Sequence, residues 1–248
     1  MKRNRHVKRE MKGAKHIFHG FGGDRKIRMS HIQGVILDVD GTLVDSNDAH
    51  AKAWVEAMAQ YGYTVAFDKV RPLIGMGGDK VLPETVGLEK NSEEGKRISQ
   101  RRKEIFKERY LPNLHAFPGA RELLEQMRKR GLKLAIASSA EKDELKALLR
   151  VVGAADLIEE ETSSKDTKRS KPDPDVMDVT LDRIGLPSNA VLMIGDTAYD
   201  IEAAKKVNVD TIAFRCGGWN DSDLAGAIAI YDGPADLLEH YDDSPLAS

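Results

Sequence analysis

From Gly34 onward the chain alternates short runs of Val, Ile and Leu with longer segments whose apolar positions recur at helical spacing. That alternation is the pattern of a parallel sheet covered by helices. It predicts strands at Gly34–Asp38, Lys133–Ser138, Leu157–Ile158, Val191–Ile194 and Thr211–Ala213, with a weaker one at Ile228–Tyr231. Each is short and mostly apolar, as strands buried on both faces are. Helices are predicted between them over Pro118–Arg130, Glu141–Val152 and Pro172–Ile184, ending at Gly131, Gly153 and Gly185. Glycine is well suited to stop a helix there.

One interval breaks the alternation. Between Asn47 and Phe117 about seventy residues read as largely helical, with no convincing strand. Trp54, Val55, Met58 and Tyr61 make one apolar face of a helix over His50–Tyr61, and Arg97–Arg109 reads as a heavily charged helix. An inserted helical subdomain accounts for this interval, because loops of that length are rare in compact domains. The expected organisation is an N-terminal extension over 1–28, an α/β core built from 29–46 and 118–248, and a helical insert at 47–117.

Composition narrows the class. The chain has 248 residues, 41% of them hydrophobic and 31% charged, enough apolar material for one large domain or a core with an accessory domain. Global disorder is excluded, and no apolar run approaches the roughly 18 residues of a membrane-spanning helix. A single cysteine, Cys216, excludes an internal disulfide, a Cys-rich zinc site and an iron–sulfur cluster. It fits a reducing compartment, so a soluble, cytoplasmic protein without a membrane partner is expected. The net charge of -2 hides an asymmetry: residues 1–28 hold ten Lys/Arg against Glu10 and Asp24, leaving the rest of the chain at -10. Such a tail could bind nucleic acid or an anionic surface. It shows no regular apolar period, however, and Met29-Ser30-His31-Ile32 looks like an independent start, so a dispensable extension is expected.

The segment from Val35 to Asp45 carries the first chemistry, because an apolar strand delivers Asp38 and Asp40 to its carboxyl end and then breaks at Gly41. Side chains two apart on a strand share a side, and open α/β sheets bind ligands at that edge. Two converging carboxylates require a cation or a proton beside them. Alone, the pair could equally be a strand end capping the next helix. A second cluster changes the balance: the strand Val191–Ile194 ends in Gly195, Asp196 and Thr197, with Asp200 one turn into the following helix. Two such clusters on neighbouring strands could share Mg²⁺, which takes hard oxygen ligands. Asp200 also has a simpler role as a helix N-terminal charge. Ser138 ends the run Leu134–Ser138, and Lys171 precedes Pro172; a hydroxyl and an ammonium there could hold the oxygens of a phosphoryl group.

With these residues in the order Asp38-Val39-Asp40-Gly41-Thr42, Ser138, Lys171 and Gly195-Asp196-Thr197 with Asp200, the chain resembles the haloacid dehalogenase superfamily from Gly34 to about Tyr241. The resemblance implies an α/β, Rossmann-like core with a parallel sheet and an inserted α-helical cap. It implies Asp38 as nucleophile, Asp40 as general acid and base, and Ser138 and Lys171 as holders of the phosphoryl oxygens. Mg²⁺ would be bound by Asp38, Asp196 and the backbone carbonyl of Asp40, supported by Asp200. Retention of Asp40 sets the chain apart from the dehalogenases, which lack the second Asp, and the implied activity is a Mg²⁺-dependent phosphatase acting on a small phosphorylated metabolite such as a sugar phosphate.

His50, in the run Asp45 to Trp54, also resembles the sugar phosphomutases of this branch, where a histidine here couples cap closure to the acid/base Asp. The cap loop Leu73–Lys80 carries glycines where those enzymes place basic residues, which favours hydrolysis over mutase activity. That glycine cluster lacks the ending of a P-loop and follows no strand; Gly77 and Gly78 are expected to let the loop approach substrate. Thr42, His50 and Ser139 complete the expected substrate contacts. A non-catalytic phospho-ligand or RNA binder is the remaining alternative, and a monomer or homodimer is expected. Removing residues 1–28 should leave turnover unchanged, and a large loss on truncation would contradict the reading of that segment as dispensable.

Overall fold

The computed structural model describes residues 31–247, so the basic segment 1–28 lies outside the described residues. Six strands form one parallel sheet: β1 (Gly34–Leu37), β2 (Lys133–Ala137), β3 (Glu160–Thr162), β4 (Val191–Gly195), β5 (Asp210–Phe214) and β6 (Ala229–Tyr231). Their spatial order is β3-β2-β1-β4-β5-β6, with every pairing parallel. The central strands are apolar because both faces are covered. Val35 and Leu37 of β1 join one core while Ile36 joins the other, and β2 and β4 divide their side chains in the same alternating way. Helices α5 (Ala120–Lys129) and α6 (Lys142–Val152) cover the first face with Leu123, Leu124, Leu145 and Leu148. On the second face lie α7 (Asp175–Ile184) and α8 (Ala198–Lys206), and α9 (Pro234–Glu239) packs beside α5.

Between β1 and β2 the chain forms the helical insert: α1 (Asn47–Gln60), α2 (Phe67–Val70), α3 (Gly78–Val86) and α4 (Glu93–Ile105), followed by a π-helical turn at Phe106–Tyr110. The outgoing and returning connections run side by side, Val44 pairing antiparallel with Ala116 and Asp45 N–H donating to His115 O at 3.1 Å. The charged helix α4 begins at a Ser92 cap whose hydroxyl accepts from Gly95 N–H, as a serine at that position should. Among the described residues no helix is long and apolar enough to cross a membrane.

One predicted strand is displaced. Leu157 and Ile158 lie in a turn and tuck half-buried against the core, and pairing with β2 begins only at Glu160. β3 is an edge strand, so it tolerates the half-exposed Glu160 and Glu161 that a reading by apolarity passes over. The loop after β3 leads to Lys171 and is pinned by Asp166, which accepts from Ser163 N–H (2.9 Å), Ser163 Oγ (2.7 Å) and Arg183 Nη2 (2.7 Å).

The Arg183 and Ser163 bonds lower the Asp166 pKa from 3.8 to about 2, against the upward push of partial burial. A depressed folded-state pKa means that this contribution to stability is present above pH 4 and is lost as pH falls toward 2. Asp166→Asn should therefore lower Tm at pH 6, and the gap to wild type should narrow on acidification below pH 4. A gap that stays constant with pH would contradict this account of the loop.

Candidate active site

Strand register builds the site. Leu37 pairs with Ile136 on one side and Ile194 on the other, so the residues that follow all three strands emerge at one edge of the sheet. Asp38 N–H donates to Ile194 O at 2.9 Å, which fixes Asp38 beside Gly195 and Asp196. Asp196 is wrapped tightly: Asn47 Nδ2 donates to one oxygen at 2.8 Å and Thr42 Oγ1 to the other at 3.2 Å. Gly41, at φ +76°, and Gly217 close the wrapping, since a Cβ at Gly41 would lie 2.2 Å from Asp196 Oδ2 and one at Gly217 only 1.8 Å away. No side chain fits at either position.

Lys171 is fully buried and donates to Asp38 Oδ1 at 2.5 Å and to Asp200 Oδ1 at 2.7 Å. Asp200 has a second role. Its other oxygen accepts from Thr197 N–H and Thr197 Oγ1, while Thr197 Oγ1 accepts in turn from Asp200 N–H, a reciprocal cap at the start of α8. Both sequence readings of Asp200, helix charge and metal-site support, are thus compatible with its position.

Asp38, Asp196 and Asp200 offer carboxylate oxygens that all lie within 4.8 Å of one another, and all three residues are buried. Burial raises the Asp38 pKa to about 7, and the Asp200 and Asp40 carboxylates add to that rise although Lys171 opposes it. Asp196 is pushed well up by burial, then by Asp200 and Asp38. The Lys171 ammonium stays protonated, because its two carboxylate partners outweigh burial. Three carboxylates against one ammonium leave a formal charge of two negatives in a dry site, which a single divalent cation would balance. An all-oxygen donor set suits Mg²⁺.

Asp40 stands apart from this cluster. Its Oδ1 receives Ser46 Oγ at 2.5 Å and His50 Nε2 at 2.7 Å, and these bonds hold its carboxyl below the usual range despite burial. Arg102 Nη2 lies 3.3 Å from His50 Nδ1. Because a guanidinium only donates, Nδ1 accepts and the Nε2 proton is directed at Asp40. Phe106 stacks on the His50 ring with centroids 4.0 Å apart, and Arg102 lies over both Trp54 and Phe106.

The remaining expected residues are distributed unevenly. Asp38, Asp40, His50, Gly77, Gly78 and Ser139 line one cleft. Ser138 is buried just past β2, where its hydroxyl accepts from Ala140 N–H at 3.0 Å. Thr42 is fully buried and turned onto Asp196, instead of facing the cleft as a substrate contact would. Asp40 was expected to reach the metal through its backbone carbonyl, and its side chain, engaged by His50 and Ser46, leaves that carbonyl free for the role. Gly78 is small because Trp54 occupies the space: a Cβ there would meet the indole at 3.0 Å. Gly77 N–H donates to Ser170 Oγ at 3.0 Å, and Ser139 Oγ to Gly75 O at 3.1 Å, so the loop docks on the core.

Asn47, Arg102 and Glu144 were not anticipated. Arg102 had a visible signal: it falls at the i+4 position between Ile98 and Ile105 on the buried stripe of α4, where an arginine is out of place unless partnered. Its partner is Glu144 on α6, at 2.6 Å across the junction of insert and core.

The carboxylate cluster makes two opposed predictions for Asp196→Asn. In chelator the variant should melt at or above the wild-type Tm, because it removes one of three repelling charges. With Mg²⁺ in excess the order should reverse, since a ligand at a hundredfold over its Kd adds about 2.7 kcal/mol to the form that binds it. A variant less stable than wild type under both conditions would contradict the charge argument.

Similar proteins share this arrangement of elements. A model of haloacid dehalogenase-like hydrolases matches residues 35–214. A phosphorylated carbohydrates phosphatase of Thermotoga maritima is 28% identical over 214 residues, covering 84% of this chain and 97% of its own. A phosphoglycolate phosphatase of Rhodospirillum rubrum is also 28% identical over 214 residues, covering 83% and 89%. The crystal structure of a hydrolase from Pseudomonas syringae superposes with a TM-score of 0.78 at 32% identity, over 85% of this chain and 98% of that one. With the family model spanning well over half of its length, the chain belongs to the haloacid dehalogenase-like hydrolases.

Proposed function

We propose that the protein is a Mg²⁺-dependent phosphatase that hydrolyses a small phosphomonoester, such as a sugar phosphate, through an aspartyl-phosphate intermediate. The observation that carries this reading is the separation of two carboxylates on one cleft. Asp38 belongs to a cation-seeking cluster with Lys171, and Asp40 belongs to a hydrogen-bonded pair with His50. Nucleophile and proton carrier need such different surroundings. The names of the Thermotoga and Rhodospirillum relatives support the substrate class.

Asp38, Asp196 and Asp200 would hold the metal. Bound there, Mg²⁺ would offset their charge and polarise the phosphoryl oxygens. The Asp38 carboxylate attacks phosphorus and the bond from phosphorus to the ester oxygen breaks; Asp40, a carboxylate in the empty site, takes up a proton from solvent as the phosphate dianion binds beside it and gives that proton to the departing alkoxide. Asp40, now a carboxylate, takes a proton from the water that attacks the aspartyl phosphate, and inorganic phosphate leaves as the Asp38 carboxylate is restored. Hydrogen bonds from His50 and Ser46 favour the carboxylate form of Asp40 and so suit this second half. Ser138 and Lys171 steady the phosphoryl oxygens. A phosphomutase is the second reading, and the His50 contact with Asp40 is what favours it. Against it, Gly75, Gly77 and Gly78 of the cap loop offer no cation, and Lys80 is engaged by Asp173 at 2.9 Å.

Phosphate release from a panel of phosphorylated metabolites tests the proposal. Release should require Mg²⁺, stop in chelator, and fall by at least about 10⁴-fold in Asp38→Ala, the scale of losing an essential nucleophile. Conversion of a sugar 1-phosphate to its 6-phosphate without net phosphate release would favour the mutase, and substantial turnover in Asp38→Ala would refute the nucleophile.

A further inference from the structure

Asn47 brings the helical insert to the carboxylate cluster. It opens α1 and is buried. Its Nδ2 donates to Asp196 Oδ2 at 2.8 Å and to Gly217 O at 3.1 Å. The carboxylate and the carbonyl only accept, which fixes the amide with its nitrogen toward them. The opposite atom, Asn47 Oδ1, is then buried with no donor among the described residues. Such an orphan is costly, and helix formation draws no benefit from it: Ser46 is the N-cap residue, and no side chain caps the first turn. The two donated bonds are what the residue contributes.

These contacts are tight. A Cβ at Gly41 would lie 2.1 Å from Asn47 Nδ2, and one at Gly217 only 1.8 Å from Asp196 Oδ2. Backbone therefore presses on both the amide and the carboxylate, and neither has room to turn away. Gly217 O accepts a second donor from the insert, Arg71 Nη2 at 2.5 Å, and Arg71 Nε donates in turn to Asp48 Oδ1 at 2.7 Å. From the core, Thr42 Oγ1 reaches the other Asp196 oxygen at 3.2 Å. The shorter of these two side-chain bonds on the carboxylate thus comes from the insert. Three residues along the same helix, His50 carries its Nε2 to Asp40, so the first turn of α1 meets both the cluster and the proton carrier.

We propose that Asn47 is a positioning residue of the metal site: through this side chain the insert holds the Asp196 carboxylate in place for a divalent cation, and cation binding in turn tightens the hold of the core on the first turn of α1. A partner that orients a metal-binding side chain typically governs affinity by about 10- to 100-fold, and coupling between two places in a protein is reciprocal. The proposal rests on the reading of Asp38, Asp196 and Asp200 as the metal set.

Calorimetric titration of Mg²⁺ into the full-length chain, without substrate, tests it. Asn47→Ala should weaken Mg²⁺ binding by about 10- to 100-fold. Tyr199→Phe, which deletes a different bond between core and insert, to Pro72 O, should leave the affinity within about twofold, as a change outside the contacts of the cluster should. Hydrogen exchange of the wild type gives a readout that stands even if Asn47→Ala does not fold: saturating Mg²⁺ should slow the amides of His50 and Ala51, in the first turn of α1, by at least about fivefold. In folded Asn47→Ala that slowing should be lost. An Asn47→Ala affinity within about threefold of wild type, an equal loss of affinity in Tyr199→Phe, or exchange at His50 and Ala51 unmoved by Mg²⁺ in the wild type would overturn the proposal. Failure of the underlying metal reading looks different: the wild type itself would bind no Mg²⁺, and the proposal would fall with it.

Discussion

Three buried carboxylates converging on one ammonium constrain the rest of the structure. Asp38, Asp196 and Asp200 lie out of water, Lys171 bonds Asp38 and Asp200 while Asp196 has no cationic hydrogen-bond partner among the described residues, and an uncompensated charge in such a place is costly. The surrounding chain is shaped to make that arrangement tolerable. Asn47 and Thr42 turn donors onto Asp196, the Thr197 cap satisfies the second oxygen of Asp200, and glycines at 41 and 217 let backbone approach where a methyl group would collide. One divalent cation would supply the positive charge that the cluster lacks. Burial that is unfavourable for the folded chain alone is the same feature that would bind such a cation tightly and strengthen every interaction with a phosphoryl group.

The helical insert contributes the other half of the site. His50 on α1 reaches Asp40, Arg102 on α4 reaches His50, and Glu144 on the core helix α6 receives Arg102. This chain of contacts crosses from core to insert and back, so the hydrogen bonding of Asp40 is tied to the seating of the insert. Further contacts at the same junction, from Arg71 to Gly217 O and from Tyr199 to Pro72 O, fix that seating from the opposite side.

What the sequence made legible follows from locality. Asp38 and Asp196 were readable because each ends an apolar strand beside a glycine, and parallel register then carries both to one edge. Helix ends at Gly153 and Gly185 were readable because both adopt the left-handed conformation, at φ +69° and +67°. β3 lies two residues beyond the apolar pair that predicts it, since an edge strand need not be apolar and Leu157 and Ile158 serve the core from outside the strand. Thr42, expected at the substrate, turns its side chain instead toward Asp196, more than 150 residues away in sequence. Asn47 and Arg102 act across the junction between insert and core. No local pattern reports such pairings, except that an arginine on the apolar stripe of α4 demanded a partner.

The central claim is that Asp38 forms the covalent bond to phosphorus while Asp40 only carries protons. Its most direct test is chemical trapping: turnover quenched with borohydride, which reduces an aspartyl phosphate to homoserine, followed by mass spectrometry of the peptide spanning residues 34–45. The account predicts homoserine at position 38, dependent on Mg²⁺ and substrate, with Asp40 unmodified. Reduction at position 40, or turnover with no reduced residue anywhere in the chain, would contradict it.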